Sequence, residues 1–259
     1  MAKQTFGGDD DDEEVPVEEK KKVLDLSRYS TGPDVNIRDV FWAILGSYAT
    51  KKEPGIDLST LEMDRFALVR VAVGALDRPS PLHARMTPNY IARYTLMMML
   101  DAGWIDGFVE FLEECLHRNK RSIVIALRKL SADKYKDPVI DNLRAMLRYR
   151  ENSETALKYL SDLGVKDIIV ALKKELIILA RGDIGENQLN AIGALSILDD
   201  EDVTKTMIVL LSHWDEAARM AAARILEKGK SKEAKAAAEK RLEEESDPQI
   251  KLILQKIAR

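Results

Sequence analysis

Cysteine occurs once in this chain of 259 residues, at Cys115, which excludes an internal disulfide framework and makes a reducing interior the expected compartment. Histidine is nearly as scarce. His83, His117 and His213 are far apart, and no two sit at the spacing a metal pair on a helix requires. Cys115 and His117, two positions apart, fall about 200° apart around a helix and cannot work together there. Aromatic residues stop at 6%, with 13 Gly and 8 Pro, too few turn and strand formers for a β-rich fold. Long apolar runs are missing as well: residues 94–100 (YTLMMML) are far short of the roughly 20 residues a membrane span needs. Residues 1–8 lack the basic start and apolar core of an export signal. The expectation is a cytoplasmic, non-enzymatic protein with no catalytic residue, metal site, cofactor or membrane contact.

What is present is amphipathic. Hydrophobic residues make up 46% and charged residues 32%, a mixture that suits many helices joined by short turns. The net charge of −4 is carried by residues 1–22, which hold eight acids and four lysines and leave the rest of the chain formally neutral. Residues 1–33 read as a disordered acidic tail and linker, because so few apolar side chains cannot offset the ordering entropy. Within them, residues 23–28 (VLDLSR) form a short apolar island, a linker or a docking segment.

Residues 34–117 read as an N-terminal helical region. Ile37, Val40, Phe41, Ile44, Leu45 and Tyr48 form one apolar stripe at helical spacing. A capping box at Ser59, Thr60, Leu61 and Glu62 opens a second helix, whose Phe66, Leu68, Val69, Val71 and Val73 predict burial all round. Thr87 and Pro88 start a third helix that Gly103 stops. Trp104 leads into a fourth, with Ile105, Phe108, Val109, Leu112 and Leu116 on its inner face. This region is either a separate small domain or the atypical cap of the array that follows.

Residues 118–259 read as paired helices, among them one opened by Asp137 and Pro138 and one running over residues 166–180. Small and apolar residues recur in two slots, as Ala191/Leu195, Ala221/Ile225 and Ile253/Ile257, and upstream as Ala156/Leu160, Ala126/Leu130 and Ala92/Leu96. The steps are ~30–35 residues, the spacing of a helical-hairpin repeat. Asp215, Arg219, Ala221 and Ala222, echoed by Asp247, Lys251 and Ile253, resemble the motif of HEAT-like repeats of the phycobilisome-lyase type. The resemblance covers residue 122 onward and is clearest over the last 75 residues. It implies an all-α, right-handed α-solenoid of helical hairpins that binds other macromolecules. Some HEAT-like proteins are DNA glycosylases with aromatics beside a carboxylate, and of the three tryptophans, Trp42, Trp104 and Trp214, Trp214 alone has an adjacent one, Asp215. Those enzymes need a strongly basic concave face, so that reading stands last. Residues 101–109 (DAGWIDGFV) are similar to an element of the archaellum accessory proteins D and E, which implies a motility or chemosensory adaptor. Met98 and Met99 replace the paired tyrosines expected there.

Two smaller patterns carry no chemistry. Gly229-Lys230-Ser231 resembles a P-loop ending, but Arg224 stands where glycine is required and a helix precedes it. The acidic run 199–202 lacks the glycine and final glutamate of a calcium loop. The informative charge lies in residues 118–150, where ten cations face three acids. Arg118, Lys120, Arg121, Arg128, Lys129, Arg144 and Arg148 are the candidate partner-binding residues, for an acidic protein surface or, as second choice, for nucleic-acid phosphates. The acidic run at residues 9–14 is a candidate to mask them.

Overall fold

The computed structural model describes residues 36–50, 65–78, 86–182, 185–229 and 231–259. The expected acidic tail, the capping box at Ser59, His83 and Lys230 lie outside the described residues. The described chain is all-α, with fourteen helices and no strand. These are α1 Ile37–Ala49, α2 Arg65–Asp77, α3 Pro88–Asp101, α4 Ile105–Cys115, α5 Lys120–Leu130, α6 Lys136–Arg148 and α7 Arg150–Leu163. There follow α8 Lys166–Ala171, α9 Lys173–Gly182, α10 Glu186–Leu195, α11 Glu201–Leu210, α12 Glu216–Gly229, α13 Lys232–Leu242 and α14 Pro248–Ala258. None is long and apolar enough to cross a membrane.

The boundaries follow local chemistry. Asp200 caps α11 by accepting from the amides of Asp202 and Val203, and Asp247 caps α14 through Gln249 and Ile250. Ser231 caps α13 by accepting from Ala234, so the P-loop-like stretch ends in a helix start. Gly164 ends α7 at φ 61°, a left-handed conformation that glycine adopts without strain. Two expectations shift. Pro138 falls inside the first turn of α6 with Tyr135 at the N-cap, so Asp137 does not cap that helix. The helix expected over residues 166–180 breaks at Leu172 into α8 and α9.

Each helix packs mainly on its chain neighbour and on the helix two or three further along. α3 lies on α5, α5 on α7, α7 on α10, α10 on α12 and α12 on α14. A second set of contacts joins α4 to α6, α6 to α8 and α9, α9 to α11, and α11 to α13. One apolar core runs without interruption from Val40 to Leu254. The first-helix slots are fully buried at Ala92/Leu96, Ala126/Leu130, Ala156/Leu160 and Ala191/Leu195. In α12 the buried pair is Ala222/Leu226, one residue past the expected Ala221/Ile225, which are only partly covered. Three consecutive alanines carry no size signal that would fix the phase of that helix. In α14, Ile250 and Leu254 are the most deeply buried, with Ile253 beside them and Ile257 half out.

Two faces differ from expectation. α2 buries one side only, through Leu68, Val69, Ala72, Ala75 and Leu76, and leaves Phe66 exposed. In α4 the inner face is Phe108, Phe111, Leu112 and Cys115, with Ile105 exposed. The cause is Trp104, which folds back over the first turn so that a Cβ at Gly107 would overlap its ring. Its outer side meets Phe66 at 5.7 Å between centroids. Gly107→Ala must therefore displace an aromatic ring. It is expected to lower stability by about 1–3 kcal/mol, more than the ~1 kcal/mol alanine gains in a helix. A thermal melt of Gly107→Ala beside Trp104→Leu/Gly107→Ala checks this, since the second chain should lose little more than Trp104→Leu alone.

Candidate partner-binding face

The seven cations singled out in the sequence do not form one free stripe. Lys120, Arg121, Arg128 and Lys129 belong to α5, whereas Arg144 and Arg148 belong to α6. On α5, Lys120 pairs with Asp162 at 2.8 Å, and Arg128 donates to the Leu163 and Asp162 carbonyls at 2.6 Å each. Those two carbonyls sit at the C-terminus of α7, where orphan acceptors and the helix dipole both favour a guanidinium. Lys129 lies 5.7 Å over the Tyr90 ring, and Arg118 is 3.6 Å from Asp77. On α6, Arg144 bridges Asp141, Glu175 and the Ala171 carbonyl, and Arg148 reaches Glu175 at 3.3 Å. Arg121 alone of the seven is exposed with no partner among the described residues. Sequence counting found the charge but could not show that acids some 27–42 positions away in the chain, from Glu175 for Arg148 to Asp162 for Lys120, meet it.

The same fastening recurs along the chain. Lys136 pairs with Asp167, and Lys173 binds both Asp200 and Asp202 at 2.9 Å. The acidic turn at 199–202 is thus held by a lysine from α9, and Lys173 keeps the Asp200 carboxyl below its usual range. The strongest joint is buried: Arg219 donates to both Glu245 oxygens at 2.9 and 3.2 Å and to the His213 and Trp214 carbonyls at 3.0 Å. Arg219 serves as an internal clamp between helices. Cys115 is equally internal, its thiol pushed up to about 12 by burial and by Asp77. That suits a packed core thiol and opposes a nucleophile.

Among the otherwise largely charged outward positions of α9 and α11 stand two aliphatic side chains. Ile178 of α9 is 69% exposed and Val209 of α11 is 57% exposed. They occupy matching positions, each two residues past a fully buried one, Leu176 and Met207. The corresponding positions on α6 and α13 are Ala145 and Lys240. A groove lined by Leu147, Arg148, Glu175, Ile178, Leu179 and Gly182 runs beside Ile178, with the Arg148–Glu175 pair on its wall. Between α9 and α11 a smaller recess is lined by Ile177, Arg181, Asp202, Lys205 and Thr206. At the far end of α11, Trp214 is 74% exposed, its ring 5.3 Å from His213. Ile178 and Val209 were not singled out in the sequence, although helical phase alone places them opposite the core. Among the described residues no group of three or more His, Cys, Asp or Glu could hold a metal ion. No protein-family model matches the chain, and no curated protein is significantly similar to it.

Proposed function

We propose that the chain is a helical-repeat scaffold or adaptor that binds a protein partner along its second helices. The observation that carries this reading is the pair of matched, exposed aliphatic side chains, Ile178 and Val209, beside charged side chains such as Arg148 and Lys173 that join neighbouring helices. Its basis is a right-handed α-solenoid, supported by two parallel series of helix contacts with steps of ~30–35 residues. In such an array each hairpin offers its second helix at the same angle, so a partner meets a ladder of equivalent positions. An apolar strip with a charged rim is the composition of a protein–protein contact.

The pairing of Lys120, Arg128, Arg144 and Arg148 works against phosphate binding as the main activity, because a phosphate would have to displace Asp162, Glu175 or a helix C-terminus. The test is affinity capture of the tagged chain from its own cells, with and without nuclease, in parallel with an Ile178→Asp/Val209→Asp variant. A partner protein that survives nuclease and moderate salt and is lost from the variant is the expected result. Both side chains are exposed, so the variant should melt within about 0.5 kcal/mol of the parent. Recovery of nucleic acid or ribosomal proteins, lost on nuclease treatment, would overturn the reading. Recovery of motility components would extend it along the resemblance carried by residues 101–109.

A further inference from the structure

A second surface differs from the charged sites above in that two of its three lysines, Lys232 and Lys235, are exposed without an ion-pair partner among the described residues. The C-terminus of α12, the N-terminus of α13 and the C-terminus of α14 enclose a groove walled by Lys232, Lys235, Lys256 and Arg259, with Leu226 and Ile257 between them. Its one acid, Glu227, is paired with Lys256 at 3.2 Å. A cationic wall over an apolar floor fits a peptide that joins acids to aliphatic residues. It fits a phosphate backbone less well, since the floor offers such a chain nothing and the bidentate fork of arginine is largely absent.

The chain itself contains a segment of that composition. Asp9, Asp10, Asp11, Asp12, Glu13 and Glu14 are followed directly by Val15, Pro16 and Val17. We infer that the groove between α12, α13 and α14 binds residues 9–17 of a second copy of this chain. The carboxylates meet Lys232 and Lys235, and the Val-Pro-Val stretch lies on Ile257.

Reach favours a second copy over the same one. Residues 18–36 separate the segment from α1, and a chain of that length spans at most ~63–68 Å. From α1 the path of helix contacts runs through α3, α5, α7, α10 and α12 to α14, six steps of ~8–10 Å each. Laid end to end those steps would take up most of that length, whereas the groove of a second copy can approach α1 at any distance. A groove at one end and a tail at the other make a heterologous, head-to-tail contact, whose products grow with concentration.

The experiment uses the full chain. Isotopically labelled and unlabelled protein are mixed, treated with a carbodiimide that joins carboxylates to amines in direct contact, and digested for mass spectrometry. The expected result is links between residues 9–14 of one isotope and Lys232 or Lys235 of the other. They should disappear at ~0.5 M salt, where screening acts within about 4 Å. Sedimentation should show species that grow with concentration in the parent and a monomer in Lys232→Glu/Lys235→Glu, both positions being exposed. Links confined to one isotope, links to the α5 lysines instead, a parent that stays monomeric, or links abolished by nuclease each overturn the proposal.

Discussion

Replacing Glu245 by Gln is expected to destabilise the C-terminal hairpins by about 3–5 kcal/mol, the cost of leaving a buried partner charge uncompensated. Arg219 and Glu245 are only 8% and 2% exposed, and the carboxylate also accepts from Arg241 and from the amides of Ser246 and Asp247. Burial by itself would raise the Glu245 carboxyl. The Arg219 guanidinium and the two backbone amides outweigh it and hold the group at about 2. Since the folded value is depressed below the ordinary 4.5, the joint contributes its full stability above about pH 4.5. That contribution is lost as pH falls from there toward 2. Parent and variant should therefore converge in stability through this window, measured by denaturant melts at successive pH values. Hydrogen exchange locates the effect: α12, α13 and α14 should open first. A variant as stable as the parent at pH 7 would show that Arg219 is held by the His213 and Trp214 carbonyls alone.

Tyr159→Ala is expected to cost a further class of contact, about 3–5 kcal/mol for a large fully buried ring. Tyr159 projects from α7 into the core beside Cys115, and its hydroxyl donates to the Leu112 carbonyl of α4 at 2.8 Å. The ring thus joins the N-terminal helices to the array. If the core from Val40 to Leu254 acts as one cooperative body, the variant should unfold in one transition at a lower midpoint, and α4 and α7 should lose exchange protection together. Protection lost in α7 but kept in α4 would mark residues 34–117 as a separate folding unit. Tyr159→Phe isolates the hydroxyl and should cost about 1 kcal/mol.

Much of this fold is legible residue by residue. Asp247 before Pro248, Gly164 after Leu163 and the stripe Val40, Phe41, Ile44, Leu45 each act within one turn of chain, so pattern and structure coincide. The register of α12 was not legible, because Ala221, Ala222 and Ala223 are interchangeable until Arg219 finds Glu245, 26 residues on. The inner face of α4 was hidden for a related reason: Trp104 occupies the first turn only because Gly107 leaves room for its ring. The candidate site fared worst. A run of ten cations in 118–150 is visible in the sequence, but its neutralisation by Asp162, Asp167 and Glu175 is not.

The sequence by itself determined that this protein is a succession of amphipathic helices and where most of them start and stop. Those are matters of local periodicity, capping and turn chemistry. Only the tertiary structure decided which charges are free. An ion pair depends on what lies within 4 Å in space, and the packing of one hairpin on the next sets that. By that packing Lys120, Arg128, Arg144 and Arg148 became fasteners between helices, while Arg121, Ile178, Val209 and the Lys232–Lys235 groove were left facing outward.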